Sequence, residues 1–504
     1  MPVEAPGTPG YLEVERKFDV AESAPAPSFD GATAVVRVEK PPAQELDAVY
    51  FDTPERDLAS QRITLRRRTG GSDAGWHLKL PAGPDARTEV RAPLDRVDED
   101  GRHQVPGELL DVVLAIVRDR PLGPVARITT RRERQLLRGA DDAVLAEFSD
   151  DHVTAWPMAA TGEPPVEQHW REWEVELTSA DTVANAELLD QLSSRLLAAG
   201  ATPAGHSSKL ARVLGPMPTS DGSPTGAAPV HRAVAEQVEQ LLVWDRAVRA
   251  DAPDAVHQMR VTLRRLRSLL QASPAEFGLS DDAPILDELR DLALVLGQAR
   301  DAEVLGERYR RALDGLPPEL VRGRVRERLV DGAKHRYQEG LRRSLAAMRA
   351  ERYFRLLDAL DAIVAQPRAS GRAGEPPQAA IRAAYKRVRK AATAAARATG
   401  EDRDLALHRT RKRAKRLRYT AAALGAVRVS ERARAIQTLL GDYQDSVVSR
   451  KHLSEQAEAA YAAGEDTFTY GLLYQQEVDV ADSCRRQLGD ALDELAKAVR
   501  KTKR

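Results

Sequence analysis

Along the first 215 residues, apolar and ionisable side chains alternate in short runs broken by Gly and Pro, whereas beyond Val230 apolar positions recur at helical spacing. Successive side chains of a strand point to opposite faces, so period-two alternation predicts β-structure. The predicted strands are YLEVERKF (11–18), AVYFDT (48–53), ITLRRRT (63–69), WHLKLP (76–81), ARTEVRAPL (86–94), VARITTRRERQLL (125–137), VLAEFSD (144–150) and HWREWEVELT (169–178). PAGPD (81–85) and TGEPP (161–165) read as breaks between them, and helical patches fall near 107–119 and 181–199. GPMPTSDGSPTGAAP, which begins at Gly215, has a linker composition. The expected organisation is a domain over 10–214, a linker over 215–229 and an all-helical domain over 230–500. QPRASGRAGEPPQ (366–378) divides the latter into halves of about 230–365 and 379–500.

Those halves repeat one another. VHQMRVTLRRLRS from Val256 matches LHRTRKRAKRLRY from Leu407, and LGQARDAEVL (296–305) matches LGDYQDSVVS (440–449). From His257 to His408 is 151 positions, and from Gly297 to Gly441 is 144. Two motifs in the same order at similar offsets predict a duplicated, pseudo-twofold helical bundle.

Charge sharpens the division. The formal net charge is zero, but residues 1–215 hold 25 Lys and Arg against 36 Asp and Glu, while 216–504 hold 51 against 40. An acidic half joined to a basic half predicts two tasks. The single cysteine, Cys484, excludes a disulfide framework and a Cys-based zinc site within the chain. No apolar run reaches the roughly 18 residues of a membrane span. The opening MPVEAPGTPG lacks the regions of a signal peptide, so the cytoplasm is the expected compartment.

The strands carry the first candidate chemistry. Glu13, Glu15 and Lys17 share one face of YLEVERKF, with Leu12, Val14 and Phe18 on the other. Arg66 and Arg68 share a face, Lys79 lies opposite Trp76, Leu78 and Leu80, and Arg87 is in phase with Glu89. Arg127 matches Arg131, and Glu172, Glu174 and Glu176 match one another. An antiparallel sheet with one face in water explains any single strand of this kind. Segregation of the charges by strand, glutamates at the ends of the domain and cations between, points to a closed barrel with a charged interior. Carboxylates bind hard divalent cations, and Arg and Lys bind phosphate oxygens. Together they suit a metal–polyphosphate complex.

The EVERK signature (Glu13-x-Glu15-x-Lys17), followed by LRRR, the WHLKLP lysine, ARTE, WEVEL and the closing SSKLAR, resembles CYTH domains, or triphosphate tunnel metalloenzymes. The resemblance runs from about 11 to 214. It implies an eight-stranded antiparallel tunnel that hydrolyses triphosphates with Mg²⁺ or Mn²⁺. Glu13, Glu15, Glu174 and Glu176 would then be metal ligands. Lys17, Arg66, Arg68, Lys79, Arg87, Arg131, Lys209 and Arg212 would hold phosphates, and Glu89 would position charge or water. A one-residue slip would exchange Arg131 with Arg132, and the same uncertainty of register applies to Asp150 and Asp151.

In the helical half, His257, Arg260, Arg264 and Arg267 form one stripe, and His408, Arg411, Lys415 and Arg418 another, with Lys412 alongside. Like charges on one helix face repel, so a bound anion is expected to compensate them. The repeated motifs resemble a CHAD domain (conserved histidine α-helical domain) from about 230 to 500. This implies a polyphosphate-binding bundle whose contacts are those nine residues. Asp301 and Asp445, placed in LGxxxD turns, are expected to fix helix packing or pair with the stripes. Nucleic acid is a poorer fit, because the basic segments offer little aromatic surface beyond Tyr419. The expected protein is an inorganic triphosphatase with a polyphosphate-binding domain. The alternatives are a non-catalytic scaffold, or a hydrolase or cyclase acting on ATP or thiamine triphosphate.

Overall fold

The computed structural model describes residues 10–29, 32, 34–83, 85–94, 103–158, 166–178, 183–215, 229–280, 282–365 and 377–501. The segments 161–165, 216–228 and 366–376, expected as breaks or linkers, lie outside the described residues. The alternating segments form strands β1 (Tyr11–Val20), β2 (Arg37–Glu39), β3 (Gln44–Asp52), β4 (Thr64–Thr69), β5 (Gly75–Pro81), β6 (Ala86–Ala92), β7 (Gly123–Arg138), β8 (Val144–Pro157), β9 (Gln168–Leu177) and β10 (Thr202–Pro203). All pair antiparallel in the order β1-β6-β5-β4-β3-β7-β8-β9, and β9 pairs back onto β1 from Val14↔Leu177 to Val20↔Arg171. The result is the expected eight-stranded closed tunnel, with β2 added on β7 and β10 on β1. Neither short strand was expected, since three and two residues carry no readable alternation. β3 starts at Gln44 rather than Ala48, and β8 continues past Asp150 to Pro157.

Helices complete the tunnel. α1 (Asp57–Ser60) and α2 (Gly107–Val117) precede α3 (Val183–Ala198) and α4 (Lys209–Leu214). α3 buries Leu188, Leu189, Leu192 and Leu196 against the outward apolar row of Phe18, Phe148, Trp173 and Val175. α4 is opened by Ser208, whose Oγ accepts a bond from the Ala211 amide at 3.1 Å, a favourable N-cap. Its Leu210 and Val213 pack on Tyr50, Ala126, Ile128, Val153, Ala155 and Trp170. These inward-facing apolar residues sit at one end of the strands, so α4 plugs that end.

After the tunnel every element is helical: α5 (Pro229–Arg249), α6 (Ala255–Ala272), α7 (Pro274–Phe277), α8 (Pro284–Asp314), α9 (Gly332–Ala347), α10 (Glu351–Ala365), α11 (Pro377–Arg397), α12 (Gly400–Ala423), α13 (Val427–Ala462) and α14 (Phe468–Lys501). Among the described residues, no helix is long and apolar enough to cross a membrane. Internal contacts divide the chain into two compact units, Met1–Leu296 with Arg343–Ala369, and Gly297–Arg342 with Ser370–Arg504.

Within the first unit the tunnel's α2 packs on α5. Arg118, just past α2, has φ 61° and ψ −128°, a conformation costing a non-glycine residue about 1–3 kcal/mol. Its buried guanidinium is held by Asp358 and Asp361 of α10. Arg349 also pairs with Asp111 at 2.7 Å.

The second unit corrects one expectation. Neither LGxxxD segment is a turn: 296–301 lies inside α8 and 440–445 inside α13. A Cβ on Gly441 would stand 3.5 Å from the Arg411 guanidinium, an ordinary contact, so the α12 arginine lies against α13 beside this glycine without requiring it. Asp445 faces Arg411 and Arg308; burial raises its pKa, and those cations oppose the rise.

The plug makes a stability prediction. Leu210→Ala should cost about 2–5 kcal/mol, the usual range for a buried leucine. It would lower the first thermal transition of the intact chain, and an unchanged transition would show that α4 does not close the barrel.

Candidate active site

Strand register decides which charges meet. On β1 the inward face carries Glu13, Glu15 and Lys17, while Arg16 turns outward to Asp85 (2.8 Å) and Asp190 (2.7 Å). Arg66 and Arg68 come inward from β4, Lys79 from β5, Arg87, Glu89 and Arg91 from β6, and Glu174 and Glu176 from β9. With Tyr50, Arg132, Arg134, Glu147 and Lys209 they line a cavity of about 450 Å³.

β7 has the other register from that expected. Arg131, assigned to phosphate, has 56% of its side chain exposed and pairs with Glu133 at 3.0 Å. Arg127 is likewise outside, bound to Asp47 at 2.6 Å. Arg132 takes the inward place, its Nε donating to Asp151 Oδ1 at 2.7 Å and its Nη2 to Glu174 Oε2 at 2.7 Å. Arginines at 131, 132 and 134 occupy both parities, so alternation alone could not choose between them. Opposition to Asp151 across the ladder decides it. On β8 Asp151 is inward, and Asp150 is outward with Arg171 at 2.7 Å. Arg212 is also absent from the lining: it pairs with Asp19 and lies 4.8 Å over the Trp170 ring.

Lys209 is inside but differently employed. Its ammonium lies 2.8 Å from Asp151, 2.6 Å from Glu172 and 2.7 Å from Glu174, three buried carboxylates whose ligand atoms sit within 4.8 Å of one another. This lysine neutralises carboxylates rather than facing the open cavity with a spare charge. Alternation puts Glu172 in phase without giving it a role, Arg132 stands in the sequence only as the alternative to Arg131, and no sequence signal singles out Arg134, Glu147 or Tyr50.

Most charges are matched. Lys17 pairs with Glu15 at 2.7 Å and Glu174 at 2.9 Å, and Lys79 pairs with Glu13. Burial would raise the Glu15 pKa, but Lys17 and Lys79 outweigh it and hold the carboxyl at about 2. Glu89 receives His77 Nδ1 at 2.8 Å and is also held by Arg91. Its pKa is lowered: burial acts against this, and His77 and Lys79 prevail.

Two places crowd like charges together. Glu176 stands opposite both Glu15 and Glu147 in the ladders. Among the described residues no cationic side chain pairs with it, and burial, then Glu13, pushes its pKa to about 7. Across the cavity, burial and then Arg66 lower Arg68 to about 10 even though Asp73 bonds it. One wall wants a cation and the other an anion. The carboxylates of Glu13, Glu15 and Glu176 fit a hard divalent ion. Glu174, the remaining expected ligand, is already engaged by Lys17, Lys209 and Arg132.

The basic stripes lie on α6 (His257, Arg260, Arg264, Arg267) and α12 (His408, Arg411, Lys412, Lys415, Arg418). On α12, His408 Nδ1 meets Gln444 Oε1 at 2.8 Å, and Arg418 Nη1 donates to Gln437 Oε1 at 3.2 Å. Both of these partners are neutral. Arg264 and Lys412 are exposed, and the other stripe residues are half-buried.

Comparison with known proteins matches residues 12–203 to the CYTH domain and 232–454 to the CHAD domain. Two uncharacterized proteins of Mycobacterium tuberculosis (strains CDC 1551 and H37Rv) are 64% identical over 516 residues, covering 100% of both chains. The CHAD domain of the plant Ricinus communis is 22% identical, with 54% of this chain and 92% of that chain covered and a TM-score of 0.38. A candidate adenylyl cyclase from Hippeastrum, described as having a dominant triphosphatase activity, is 15% identical, with coverages of 41% and 97% and a TM-score of 0.22.

The unmatched carboxyl predicts a pH signature. Folding raises Glu176 from 4.5 to about 7, so its stabilising contribution is complete below pH 4.5 and is lost as pH rises through about 7. Glu176→Gln should therefore raise the melting temperature of metal-free protein at pH 8 but not at pH 4, and Mn²⁺ should narrow the gap at pH 8. Equal shifts at both pH values would remove the charge argument.

Proposed function

The chain belongs to the CYTH-domain and CHAD-domain families, and from that premise we propose that its tunnel hydrolyses inorganic triphosphate or short polyphosphate with Mg²⁺ or Mn²⁺, while its basic helices bind polyphosphate. CYTH members are triphosphatases or cyclases, and the CHAD domain fits polyphosphate-type ligands. The observation that carries the finer reading is the pair of opposite mismatches, an unpaired carboxylate at Glu176 and crowded guanidiniums at Arg66 and Arg68. A metal–triphosphate complex brings the missing charge to both walls at once.

In this reading Glu13, Glu15 and Glu176 hold the divalent ion, which neutralises phosphate oxygens when bound. Lys17, Arg66, Arg68, Lys79, Arg87 and Arg132 grip the phosphates, and Glu89 orients Lys79 and Arg91. Water attacks the terminal phosphorus, the bridging P–O bond breaks, and its electron pair leaves with the shortened chain. The guanidiniums stabilise the negative charge developing on that leaving oxygen. Charged side chains make up most of the lining, which suits an inorganic phosphate chain.

Phosphate release from tripolyphosphate with Mg²⁺ or Mn²⁺ tests the tunnel, with ATP and thiamine triphosphate in parallel. Glu13→Ala, Lys17→Ala and Arg132→Ala should each slow turnover by about 100-fold or more, the scale of lost transition-state contacts. Arg131→Ala should leave it nearly unchanged, and chelation should abolish it. Turnover confined to an organic triphosphate would change the substrate. Retained binding with no turnover of any substrate would make the protein a scaffold.

For the helices, Arg411→Glu with Lys415→Glu should weaken polyphosphate binding and flatten its salt dependence, as loss of phosphate contacts does. Unaltered affinity and salt slope would remove α12 from the binding surface.

A further inference from the structure

A strand ladder forms the tunnel wall almost everywhere, but one stretch beside β1 lacks it. The β1–β6 ladder ends at Val14↔Ala86, and the β1–β10 pairing starts only at Phe18↔Pro203. Across the intervening Glu15–Lys17 the wall hangs on two backbone bonds, Glu15 N to Asp85 O (3.0 Å) and Ala204 N to Lys17 O (3.0 Å). Outside that gap lies a second cavity of about 580 Å³, between β1, α3 and residues 203–207. It shares Glu15, Lys17 and Arg87 with the main cavity. Arg87 stands at the partition, its Nη2 donating to Ser207 O at 2.6 Å. Arg16, Ser193 and the exposed His206 line the far side.

We propose that this lateral cavity is a phosphate-binding side chamber joined to the plugged end of the tunnel. It accepts either the orthophosphate released there or the distal units of a chain too long for the tunnel. The chemistry common to both is a phosphate oxyanion passing Arg87. The plug narrows the outlets: Leu210 and Val213 occupy the end of the barrel, so an ion beside Lys17 and Arg87 has the lateral gap or the occupied mouth as its ways out. The proposal rests on the tunnel holding phosphates.

Ring-labelled histidine resonances of the intact protein test each chamber separately. His77, bonded to the lining residue Glu89, reports the tunnel, and His206 reports the side chamber. His206→Gln assigns the second signal. Orthophosphate, tripolyphosphate and a longer linear polyphosphate are titrated in turn. The expected result is a saturable shift of His206 that is lost in Gly205→Trp, which adds an indole to a lining position where a Cβ meets nothing within 4 Å. Gly205→Leu serves if the larger variant fails to fold, with an unmoved His77 signal as the control. A response to orthophosphate alone identifies a product chamber, and one to the longer chain but not to tripolyphosphate identifies a chain subsite. A shift at His77 with His206 still for all three ligands overturns the side chamber and leaves the tunnel reading standing. Silence at both histidines overturns the two together.

Discussion

Everything in the N-terminal domain depends on β9 pairing back onto β1. An open sheet would leave Glu13, Glu15, Lys17, Glu174 and Glu176 on a solvated face, where water screens charges and ion pairs are worth little. Closure turns that face into an interior. Charges from every strand of the ring except β3 are then forced into one low-dielectric space, where each must be paired or shift its protonation. The register of the ladders supplies most pairs directly, as with Lys17 opposite Glu174 and Arg132 opposite Asp151.

The charges left over give the tunnel its chemistry. A barrel selected for stability alone would neutralise Glu176 with a lysine and separate Arg66 from Arg68. Here β9 and β8 instead place Glu176 between Glu15 and Glu147, and β4 carries two guanidiniums on one face. Such local costs are tolerated where function needs them. The surroundings are correspondingly well satisfied: α3 covers the apolar outer row, α4 fills one end, and Lys209 neutralises the acidic group beneath the cavity.

The helical half uses a different rule. On α12, His408 and Arg418 meet the neutral Gln444 and Gln437 of α13, while Arg411 faces the carboxyl of Asp445. Arg411 of α12 lies beside Gly441 of α13. On the tunnel side, Asp358 and Asp361 compensate the strained backbone of Arg118, binding α2 to the first set of helices by charge as well as packing.

Local regularities were legible in the sequence because they repeat at the period of one element. Alternation on β1, β4, β5, β6 and β9 identified the inward charges, and helical spacing exposed both histidine-led stripes. The same reading failed where two parities carried equal chemistry. On β7, arginines at 131, 132 and 134 look alike until Asp151 on the neighbouring strand selects one. Lys209 carries a positive charge in any conformation, but only the approach of β8 and β9 surrounds it with three carboxylates. LGxxxD reads as a turn from sequence, yet both copies lie inside long helices. Sequence determined which side chains share a face, because that depends on neighbours within a few residues. Tertiary structure decided which faces meet and which charges remain unpaired, because that depends on residues far apart along the chain.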